Sequence, residues 1–421
     1  MNRQVTTADK LEKVGRVARL YEKLVINQLS QIRQGCIYLH TANAVYELGD
    51  SEADLTVNLT VYDHRFFEAV VRGGSVGAAE AYMSGDWHCS DLTGLVRILV
   101  RNQDLTDDME KGLARVAGWL MKGWHYFNRN SHEGSRKNIA AHYDLGNDLF
   151  ELFLDRDWMM YSSALYYRED ESLEQAQANK LKRLCDKLAL TTDDNLLEIG
   201  TGWGGAAVYA ASHYGCKVTT TTISKEQYAY ATARVKAANL EDKVTVLLQD
   251  YRDLTGQYDK LISIEMVEAV GHHYIEGYFA KCSQLLKDDG LAIIQAITIE
   301  DHRYEQAVKS VDFIKRYIFP GSFIPSVTVL TNAAAKAKLK LTNLEDIGPS
   351  YAITLAEWRK RFMSQLDTVR QQGYPDSFIR MWEFYLCYCE GGFAERSIAD
   401  VHLLFSKNQN RRPQWVPASV E

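Results

Sequence analysis

The sequence of 421 residues has no long hydrophobic run and no patterned set of cysteines. No segment approaches the roughly 18 consecutive apolar residues that a membrane-spanning helix needs, and the first ten residues lack the apolar core of a signal peptide. The seven cysteines are scattered singly apart from Cys387 and Cys389, which argues against a disulfide framework and fits a reducing compartment. These absences favour a cytoplasmic protein whose membrane contact is peripheral.

An excess of positive charge is also missing, because the formal net charge is −7. Overall charge therefore gives no support for a nucleic-acid partner. Internal repeats and low-complexity tracts are absent. His272 and His273 are adjacent at a predicted helix start, where neighbouring side chains are expected to point apart, and no cysteine or carboxylate follows at ligand spacing. We therefore expect no metal site.

One segment, Lys111–Lys137, combines basic and aromatic residues. It contains six Lys or Arg residues against one Glu, and Trp119 and Trp124 are among its aromatic side chains. This composition is typical of docking on an anionic bilayer surface and equally of a solvated helix that joins two domains. The polar run Asn128–Ser135 near its end places a boundary between an N-terminal domain, residues 1–130, and a catalytic domain, residues 131–421.

The N-terminal region mixes strand and helix patterns. Apolar residues at close to period two predict a strand over Leu55–Tyr62. The glycines of Gly73–Gly77 predict a turn that leads into a helix over Ala78–Met83. Another helix is expected to begin after Ser90 or Asp91, either of which can cap it.

After the boundary, strands and helices alternate, which predicts a parallel α/β sheet. The predicted strands are Asn195–Gly200, Lys217–Ile223, Val244–Asp250, Tyr258–Ile264, Leu291–Ile299, Leu339–Ile347 and Ala399–Phe405. The predicted helices are Leu173–Lys187, Gly204–His213, Lys225–Ala238, His273–Leu286, Thr354–Gln371 and Pro375–Gly391. An aromatic-rich helical insertion is expected between Ile299 and Pro325.

The segment from Leu197 to Gly205 indicates a cofactor site. A strand that carries Glu198 runs into Gly-x-Gly-x-Gly-Gly, and a helix follows. Glycines allow a tight turn and a close approach of a ligand to the backbone, and the helix N-terminus offers unpaired N–H groups. This spacing resembles motif I of the Rossmann-like methyltransferases rather than the dinucleotide fingerprint Gly-x-Gly-x-x-Gly.

The second strand of the sheet lacks the acidic residue that binds ribose hydroxyls in most nucleoside-binding sheets. Thr222, Ser224 and Gln227 stand there instead, and their hydroxyl and amide groups can donate and accept hydrogen bonds. The sequence therefore favours a neutral polar clamp and S-adenosylmethionine (SAM) over NAD.

Ordered motifs over about 136–405 resemble the cyclopropane-fatty-acyl-phospholipid synthases and their mycolic-acid relatives. Gly73–Trp87 and the Ser-Asp-Leu after it resemble the smaller N-terminal domain of the same enzymes. The matching segments include Ala141–Asp148, Met160–Ala164, Leu197–Gly205, Thr222–Gln227, Leu248–Leu254, Glu265–Gly271, Tyr317–Gly321, Tyr351–Leu355 and Tyr385–Phe393.

The resemblance implies a Rossmann-like class I SAM-dependent methyltransferase fold with helical lid insertions, preceded by a smaller mixed α/β domain. It implies transfer of a methyl group from SAM to a double bond in a phospholipid acyl chain, with a bound bicarbonate removing the proton that allows cyclopropane closure. It also suggests a homodimer. The residues that it places around the cofactor are Tyr161, Ser162, Glu198, Gly200, Gly202, Gly204, Thr222, Ser224, Gln227, Asp250 and Tyr251.

The catalytic residues that the resemblance implies are those at the positions of the family's bicarbonate site, Ser163, Glu268, Gln295, Ile297 and Tyr351, together with Cys389 near that site. The alternatives are a surface position for Glu268, a core position for Tyr351, which is expected in a turn, and a packing role for Cys389. His142 either orders the segment over the cofactor or is a structural histidine.

Three positions depart from the family pattern: Ser163 replaces a Cys, while Gln295 and Ala269 each replace a His. The Gln295 amide can still bind bicarbonate, but the positive charge of an imidazolium is lost. Cyclopropane formation is the main expectation for the product. A methylene, methyl-branched or furan product remains open, with a reductase partner for a branched chain. Two other functional classes are a methyltransferase that acts on a small molecule and a non-enzymatic sensor or scaffold that binds cofactor or lipid.

Overall fold

A computed structural model describes residues 16–104 and 146–413. The basic and aromatic segment Lys111–Lys137, which includes the polar run Asn128–Ser135, and His142 lie outside these residues. The chain divides into two compact units. The described part of the first comprises residues 16–104 and 366–395, and that of the second comprises residues 146–365 and 396–413.

The first unit contains a four-stranded sheet of order β2-β1-β3-β4. Strands β1 and β3 are parallel, whereas β2 and β4 pair antiparallel at the edges. The strands are β1 Cys36–His40, β2 Val45–Gly49, β3 Thr56–Val61 and β4 Trp87–Cys89, and the helices are Arg16–Leu29, Arg65–Met83, Leu92–Arg101, Leu366–Gln371 and Asp376–Ala394.

Two local predictions in this unit have different outcomes. The Asp91 carboxylate accepts a hydrogen bond from Gly94 N–H at 2.9 Å and caps the helix that follows, so that prediction is confirmed. The turn expected over Gly73–Gly77 is confined to Gly74, and the helical segment begins well before the predicted start at Ala78. The helix already runs from Arg65 to Met83, and Gly74 (φ 56°, ψ −134°) kinks it, because glycine adopts that conformation without a Cβ clash.

The segment Leu366–Glu395 was expected inside an uninterrupted catalytic domain but groups with the first unit. Its helix Asp376–Ala394 packs against the helices Leu92–Arg101 and Arg65–Met83. Glu395, directly after this helix, accepts hydrogen bonds from Arg97 at 2.7 Å and Arg101 at 2.9 Å. These contacts are distant in sequence, so local periodicity could not reveal them.

The second unit contains a seven-stranded sheet of order β10-β11-β9-β8-β5-β6-β7. The strands from β5 to β9 are parallel, and β11 runs antiparallel between β9 and β10. The bounds are β5 Asn195–Ile199, β6 Lys217–Thr222, β7 Val244–Leu248, β8 Tyr258–Ile264, β9 Leu286–Ile299, β10 Lys340–Asp346 and β11 Ile398–Ser406. The predicted α/β fold is confirmed.

Helices cover both faces of this sheet, and each face carries a buried apolar cluster. The α-helices are Asn147–Glu151, Leu173–Leu188, Gly205–Tyr214, Lys225–Ala237, Ile275–Leu285, Tyr304–Lys309, Val327–Lys336 and Gly348–Ser364. The expected insertion contains a 3-10 turn, Asp301–Arg303, the short helix from Tyr304, and a π-helical turn, Ile314–Ile318.

The helix Gly348–Ser364 begins earlier than predicted, so Tyr351 lies in its first turn rather than in a loop. Pro349 suits the first helical turn, because its ring fixes φ and its missing N–H has no partner there in any helix. Within residues 16–104 and 146–413, no helix has the length and apolar character that crossing a membrane requires.

Candidate active site

The glycine loop after β5 has the backbone that a cofactor site requires. Gly200 (φ 101°), Gly202 (φ 52°) and Gly204 (φ 84°) all have positive φ. A Cβ on Gly200 would lie 3.2 Å from Met266 Cγ, and one on Gly204 would lie 3.1 Å from Ala231 Cα. A Cβ on Gly202 would meet no described atom within 4 Å. The loop is thus closely packed on two sides and open at Gly202.

Glu198 lies beneath this loop and is buried. Its carboxyl accepts a hydrogen bond from the Thr220 hydroxyl at 2.6 Å, and Thr220 also contacts the Thr201 hydroxyl at 2.7 Å. Burial raises the pKa of Glu198 to about 8, against the lowering effects of Thr220 and Lys180. The described contacts give Glu198 a role in fixing the loop to β6.

The predicted polar clamp assembles at the carboxyl end of β6. The Thr222 hydroxyl donates to Gln227 Oε1 at 2.8 Å and accepts from Ser224 N–H at 3.1 Å. The Ser224 hydroxyl accepts from Gln227 N–H at 3.3 Å and caps the helix Lys225–Ala237. The three side chains therefore order one another at the sheet edge that also carries the glycine loop.

Asp250 and Tyr251 follow β7 at the same edge. The buried Asp250 carboxylate accepts from Arg252 N–H at 3.0 Å and forms an ion pair with the Arg252 guanidinium at 2.6 Å. The Tyr251 ring packs edge-on against Tyr278, with centroids 5.5 Å apart. Asp250 thereby shapes the turn that presents Tyr251.

Ser162 and Tyr161 lie on the segment before the helix Leu173–Leu188. Ser162 is buried, its hydroxyl accepts from Lys180 Nζ at 2.7 Å and its carbonyl accepts from Gln177 Nε2 at 2.9 Å. Burial lowers the pKa of Lys180 to about 8, although Glu265 and other carboxyls oppose this. The Ser162 hydroxyl is therefore committed to a buried amine.

Tyr161 belongs to an aromatic wall that runs from the glycine loop to Tyr351. The ring centroids of Trp203 and Phe150 are 4.9 Å apart, those of Phe150 and Tyr161 are 5.1 Å apart, and those of Tyr161 and Trp358 are 5.3 Å apart. Trp358 in turn contacts Tyr351 at 6.1 Å. Tilted and edge-on rings of this kind pack closely and exclude water.

Glu265 stands directly after β8, and three donors meet at its carboxylate. Its Oε1 accepts from Ser163 N–H and from the Gln295 amide, each at 2.8 Å. Its Oε2 accepts from the Tyr351 hydroxyl at 2.7 Å. Glu265 has a φ of 47°, which is uncommon for a residue other than glycine and recurs at functional sites.

Glu268 lies one turn further on. Its Oε1 accepts from Ile297 N–H at 2.6 Å, and its Oε2 is a buried atom without a hydrogen-bond partner among the described residues. Burial, and secondly the charge of Glu265, raise the pKa of Glu268 to about 8. Glu268 is therefore a predominantly neutral acid at neutral pH.

β11 adds two buried polar residues behind Gln295. The Gln295 amide donates to Asp400 Oδ2 at 2.8 Å, and its Oε1 lies 3.3 Å from His402 Nε2. Burial and the neighbouring Glu265 raise the pKa of Asp400 well above its usual range. Burial lowers the pKa of His402 to about 4, so this histidine is neutral at physiological pH.

The structure thus brings together five of the six residues predicted to be catalytic: Ser163, Glu268, Gln295, Ile297 and Tyr351. Ser163 contributes its N–H, because its hydroxyl donates to the Ala164 carbonyl at 2.9 Å. The sixth, Cys389, lies on the helix Asp376–Ala394 of the first unit.

Sequence reasoning missed Glu265, Asp400 and Lys180 as members of the cluster. The signal for Glu265 was available, because it directly follows a parallel strand at the edge where ligands bind and precedes Glu268 by three residues. Asp400 and Lys180 gave no such signal. They reach the cluster from β11 and from a helix that ordinary periodicity assigns to packing.

A bound bicarbonate does not fit these residues as they stand. The donors expected for it on Ser163, Gln295 and Tyr351 already surround the Glu265 carboxylate. A second anion would lie against that carboxylate and would have to displace it from its donors. No step below is therefore assigned to bicarbonate.

His272 and His273 do not point apart, as the sequence suggested, because their ring centroids are 3.8 Å apart in a turn before the helix Ile275–Leu285. Across residues 16–104 and 146–413, no group of three or more histidine, cysteine or acidic side chains is arranged to hold a metal ion.

Comparisons with known proteins agree with this geometry. The family described as mycolic acid cyclopropane synthetase matches residues 130–403. Tuberculostearic acid methyltransferase of Mycobacterium tuberculosis is 38% identical over 331 residues, which is 76% of each chain. Cyclopropane-fatty-acyl-phospholipid synthase of Escherichia coli is 35% identical over 363 residues, which is 85% of this chain and 89% of the relative.

A similar solved structure is that of the mycolic acid cyclopropane synthase CmaA1 in complex with SAH and CTAB. It aligns with a TM-score of 0.61 at 28% identity, over 65% of this chain and 98% of that chain. The open backbone at Gly202 and the sheet edge beside it fit SAM, which supplies an electrophilic methyl group when bound. The chain belongs to the mycolic acid cyclopropane synthetase family and is a SAM-dependent lipid methyltransferase.

Proposed function

We propose that this enzyme transfers the methyl group of SAM to a double bond of an unsaturated phospholipid acyl chain, and that proton loss then closes a cyclopropane ring. The observation that carries the proposal is the cluster of Glu265, Glu268 and Asp400 at the carboxyl edge of the sheet. Strand β8, which presents Glu265, pairs with β5, which presents the glycine loop. A methyl donor and a proton acceptor can thus meet at one edge.

The cofactor pocket in this proposal is formed at the carboxyl ends of three parallel strands. Gly200, Gly202 and Gly204 allow close approach to the backbone, while Glu198 and Ser162 act through the hydrogen bonds that hold neighbouring segments. The remaining residues of the proposed pocket are Tyr161, Thr222, Ser224, Gln227, Asp250 and Tyr251.

The aromatic wall suits an alkene substrate. An alkene is a poor nucleophile, so the enzyme must exclude water and hold the double bond against the methyl donor. Attack on the methyl group leaves a carbocation, and the ring of Tyr161, which is partly exposed, can stabilise a cation nearby. A polar small molecule would gain little from this wall, which favours a lipid tail.

A second product class is favoured by one specific observation. The relative with 38% identity is named a tuberculostearic acid methyltransferase, and Gln295 stands where the family pattern has a histidine. The same cation gives a methylene product when a proton leaves from a neighbouring chain carbon. A reductase partner would then be needed for a methyl-branched chain, and a furan product would need further oxidation.

The product is tested by expressing the enzyme in a bacterial host that lacks its own synthase and identifying the phospholipid acyl chains by gas chromatography and mass spectrometry. Cyclopropane chains would support ring closure, and methylene or branched chains would support the second class. Purified enzyme with SAM and unsaturated phospholipid vesicles should release SAH. Release that needs no lipid double bond would contradict both classes.

We further propose that the enzyme works as a cytoplasmic protein docked peripherally on an anionic membrane, with the N-terminal unit as the docking or dimerising part. The support is the composition of Lys111–Lys137. Replacing Trp119 and Trp124 by Ala, with nearby lysines changed to Gln, should reduce co-sedimentation with anionic vesicles and spare binding of SAH. Unchanged co-sedimentation would contradict docking through this segment, and light scattering would test the homodimer.

A further inference from the structure

The donors around Glu265 form a cradle for one carboxylate-shaped anion. Two oxygens of a single group accept three hydrogen bonds of 2.7–2.8 Å, from Ser163, Gln295 and Tyr351. Donors from three separate segments converge on it, and each hydrogen bond to a charged oxygen is stronger than one between neutral groups. A side chain of the protein fills this cradle.

The residues that form the cradle are the ones that the family resemblance assigns to bicarbonate. We infer that the Glu265 carboxylate is the base of this enzyme and takes the place of a bound bicarbonate. The inference rests on the proposed C-methylation of a double bond. It applies equally to ring closure and to formation of a methylene product, because both require loss of one proton.

Of the three carboxyls in the cluster, Glu265 accepts the most hydrogen bonds. It accepts three hydrogen bonds, whereas Glu268 accepts one from Ile297 and Asp400 accepts one from Gln295. Burial raises the pKa of all three carboxyls, but Ser163, Tyr351 and Lys180 oppose the rise at Glu265. Like charges so close cannot all ionise, so the single negative charge resides where the donors are.

Glu265 is also open to a substrate. Glu265 keeps part of its surface accessible, as Glu268 does, whereas Gln295 and Asp400 behind it are completely buried. Met266, the next residue, contacts the glycine loop at the position of Gly200. The carboxylate thus lies at the boundary between the buried network and the space that the glycine loop faces.

The proton step balances without another reactant. The π electrons of the alkene form the new carbon–carbon bond to the methyl group, and the carbon–sulfur bond breaks with its electron pair remaining on sulfur. Glu265 accepts one proton from the resulting cation. The electron pair of that C–H bond forms the ring bond or the new double bond, and the proton later leaves to water.

The experiment compares the wild-type enzyme with Glu265→Ala and Glu265→Gln in CO2-free buffer and in added bicarbonate. The wild type should turn over equally in both. Each variant should lose about 100-fold in rate, as is usual when a general base is removed. Bicarbonate, formate or acetate should restore Glu265→Ala, whose cradle is vacated, but not Glu265→Gln, whose amide still fills it.

A measurement without lipid makes the result independent of the proposed function. The 13C resonance of labelled bicarbonate should broaden saturably with Glu265→Ala and not with wild type, and Tyr351→Phe in the Ala background should weaken that binding. SAH binding by calorimetry checks that each variant is folded. If a variant does not fold, the wild-type enzyme alone tests the inference, through its turnover with and without bicarbonate and its binding of labelled bicarbonate.

Three outcomes would overturn the inference: a wild type that needs or binds bicarbonate, full activity of Glu265→Ala in CO2-free buffer, or a folded Glu265→Ala that no anion rescues or occupies. A wild type that binds no bicarbonate and also leaves unsaturated phospholipid unmethylated would refute the proposed function instead. The two failures are therefore distinguishable.

Discussion

Gly202 is the residue at which backbone conformation and ligand access coincide. Its φ of 52° favours glycine, and a Cβ there would project into open space rather than into protein. Glu265, with its own positive φ, is the matching position across the sheet edge. Single residues at this edge therefore determine both whether the cofactor can approach and where a proton can go.

Gly202→Ala should weaken SAH binding by about tenfold, since the added methyl occupies space next to the cofactor and the backbone is strained by about 1 kcal/mol. Gly373→Ala is the matched control, because Gly373 (φ 93°) also has open space around its Cβ position but lies in the first unit. Calorimetric titration with SAH and thermal unfolding measure both. Equal losses of affinity would contradict a cofactor contact at Gly202.

The raised pKa of Glu268 predicts a pH dependence of stability. Between its unfolded pKa near 4.3 and its folded pKa of about 8, the folded state binds the extra proton, so the free energy of unfolding falls as pH rises. Glu268→Gln removes this dependence, which is at most about 1.4 kcal/mol per pH unit. Urea unfolding at pH 5.5, 6.5 and 7.5 should give a shallower slope for the variant. Parallel slopes would show that Glu268 is not protonated on folding.

At the scale of elements, helix starts position the site. Ser172 and Ser224 both cap helices of the second unit, at Leu173–Leu188 and Lys225–Ala237. The first helix carries Lys180 to the buried side of the site, and the second fixes Thr222 and Gln227 at the cofactor side. The same capping chemistry thus supports two different parts of the site.

Ser172→Ala and Ser224→Ala should each cost about 1 kcal/mol of stability, the usual loss for an N-cap hydroxyl. Only Ser224→Ala should also weaken SAH binding several-fold, because Ser224 N–H and Oγ order Thr222 and Gln227. Thermal unfolding and SAH titration of the two variants provide the comparison. A loss of SAH affinity in Ser172→Ala and not in Ser224→Ala would contradict the role of Ser224 at the cofactor side.

At the scale of the whole molecule, the chain leaves the second unit and returns to it. The helix Asp376–Ala394 of this segment packs against the helices Leu92–Arg101 and Arg65–Met83, and β11 follows at once and lies between β9 and β10 of the other sheet. Glu395 joins this segment to Arg97 and Arg101, and its side chain is only 14% exposed. The chain therefore passes from the second unit into the first and back without a break.

Glu395→Gln should destabilise the first unit by about 2 kcal/mol, because the change leaves two partly buried guanidinium groups with weaker partners. Asp54→Asn is the matched control. Asp54 also pairs with Arg101, but it is 68% exposed, so solvent screens its pair and the loss of stability should be clearly smaller. Chemical unfolding followed by circular dichroism tests both. Equal effects would contradict a structural role for Glu395.

Much of the fold was predictable because its determinants are local. The alternation of strand and helix patterns located β5 to β9 within a few residues, and Asp91 identified a helix start. The placement of Leu366–Glu395 was not predictable, because it depends on contacts between segments far apart in sequence. The predicted catalytic residues meet, apart from Cys389, but they meet around Glu265.

The sequence by itself determined the glycine loop, the polar clamp and the order of the motifs, because backbone freedom and hydrogen-bonding capacity are properties of residue types. Only the tertiary structure decided which carboxyl occupies the cradle. The β8–β9–β11 register brings Gln295 and Asp400 together beside Glu265. Ser163 and Tyr351 reach the same carboxylate from a loop and from the helix Gly348–Ser364. The cofactor site is thus apparent from the chain, whereas the base depends on the fold.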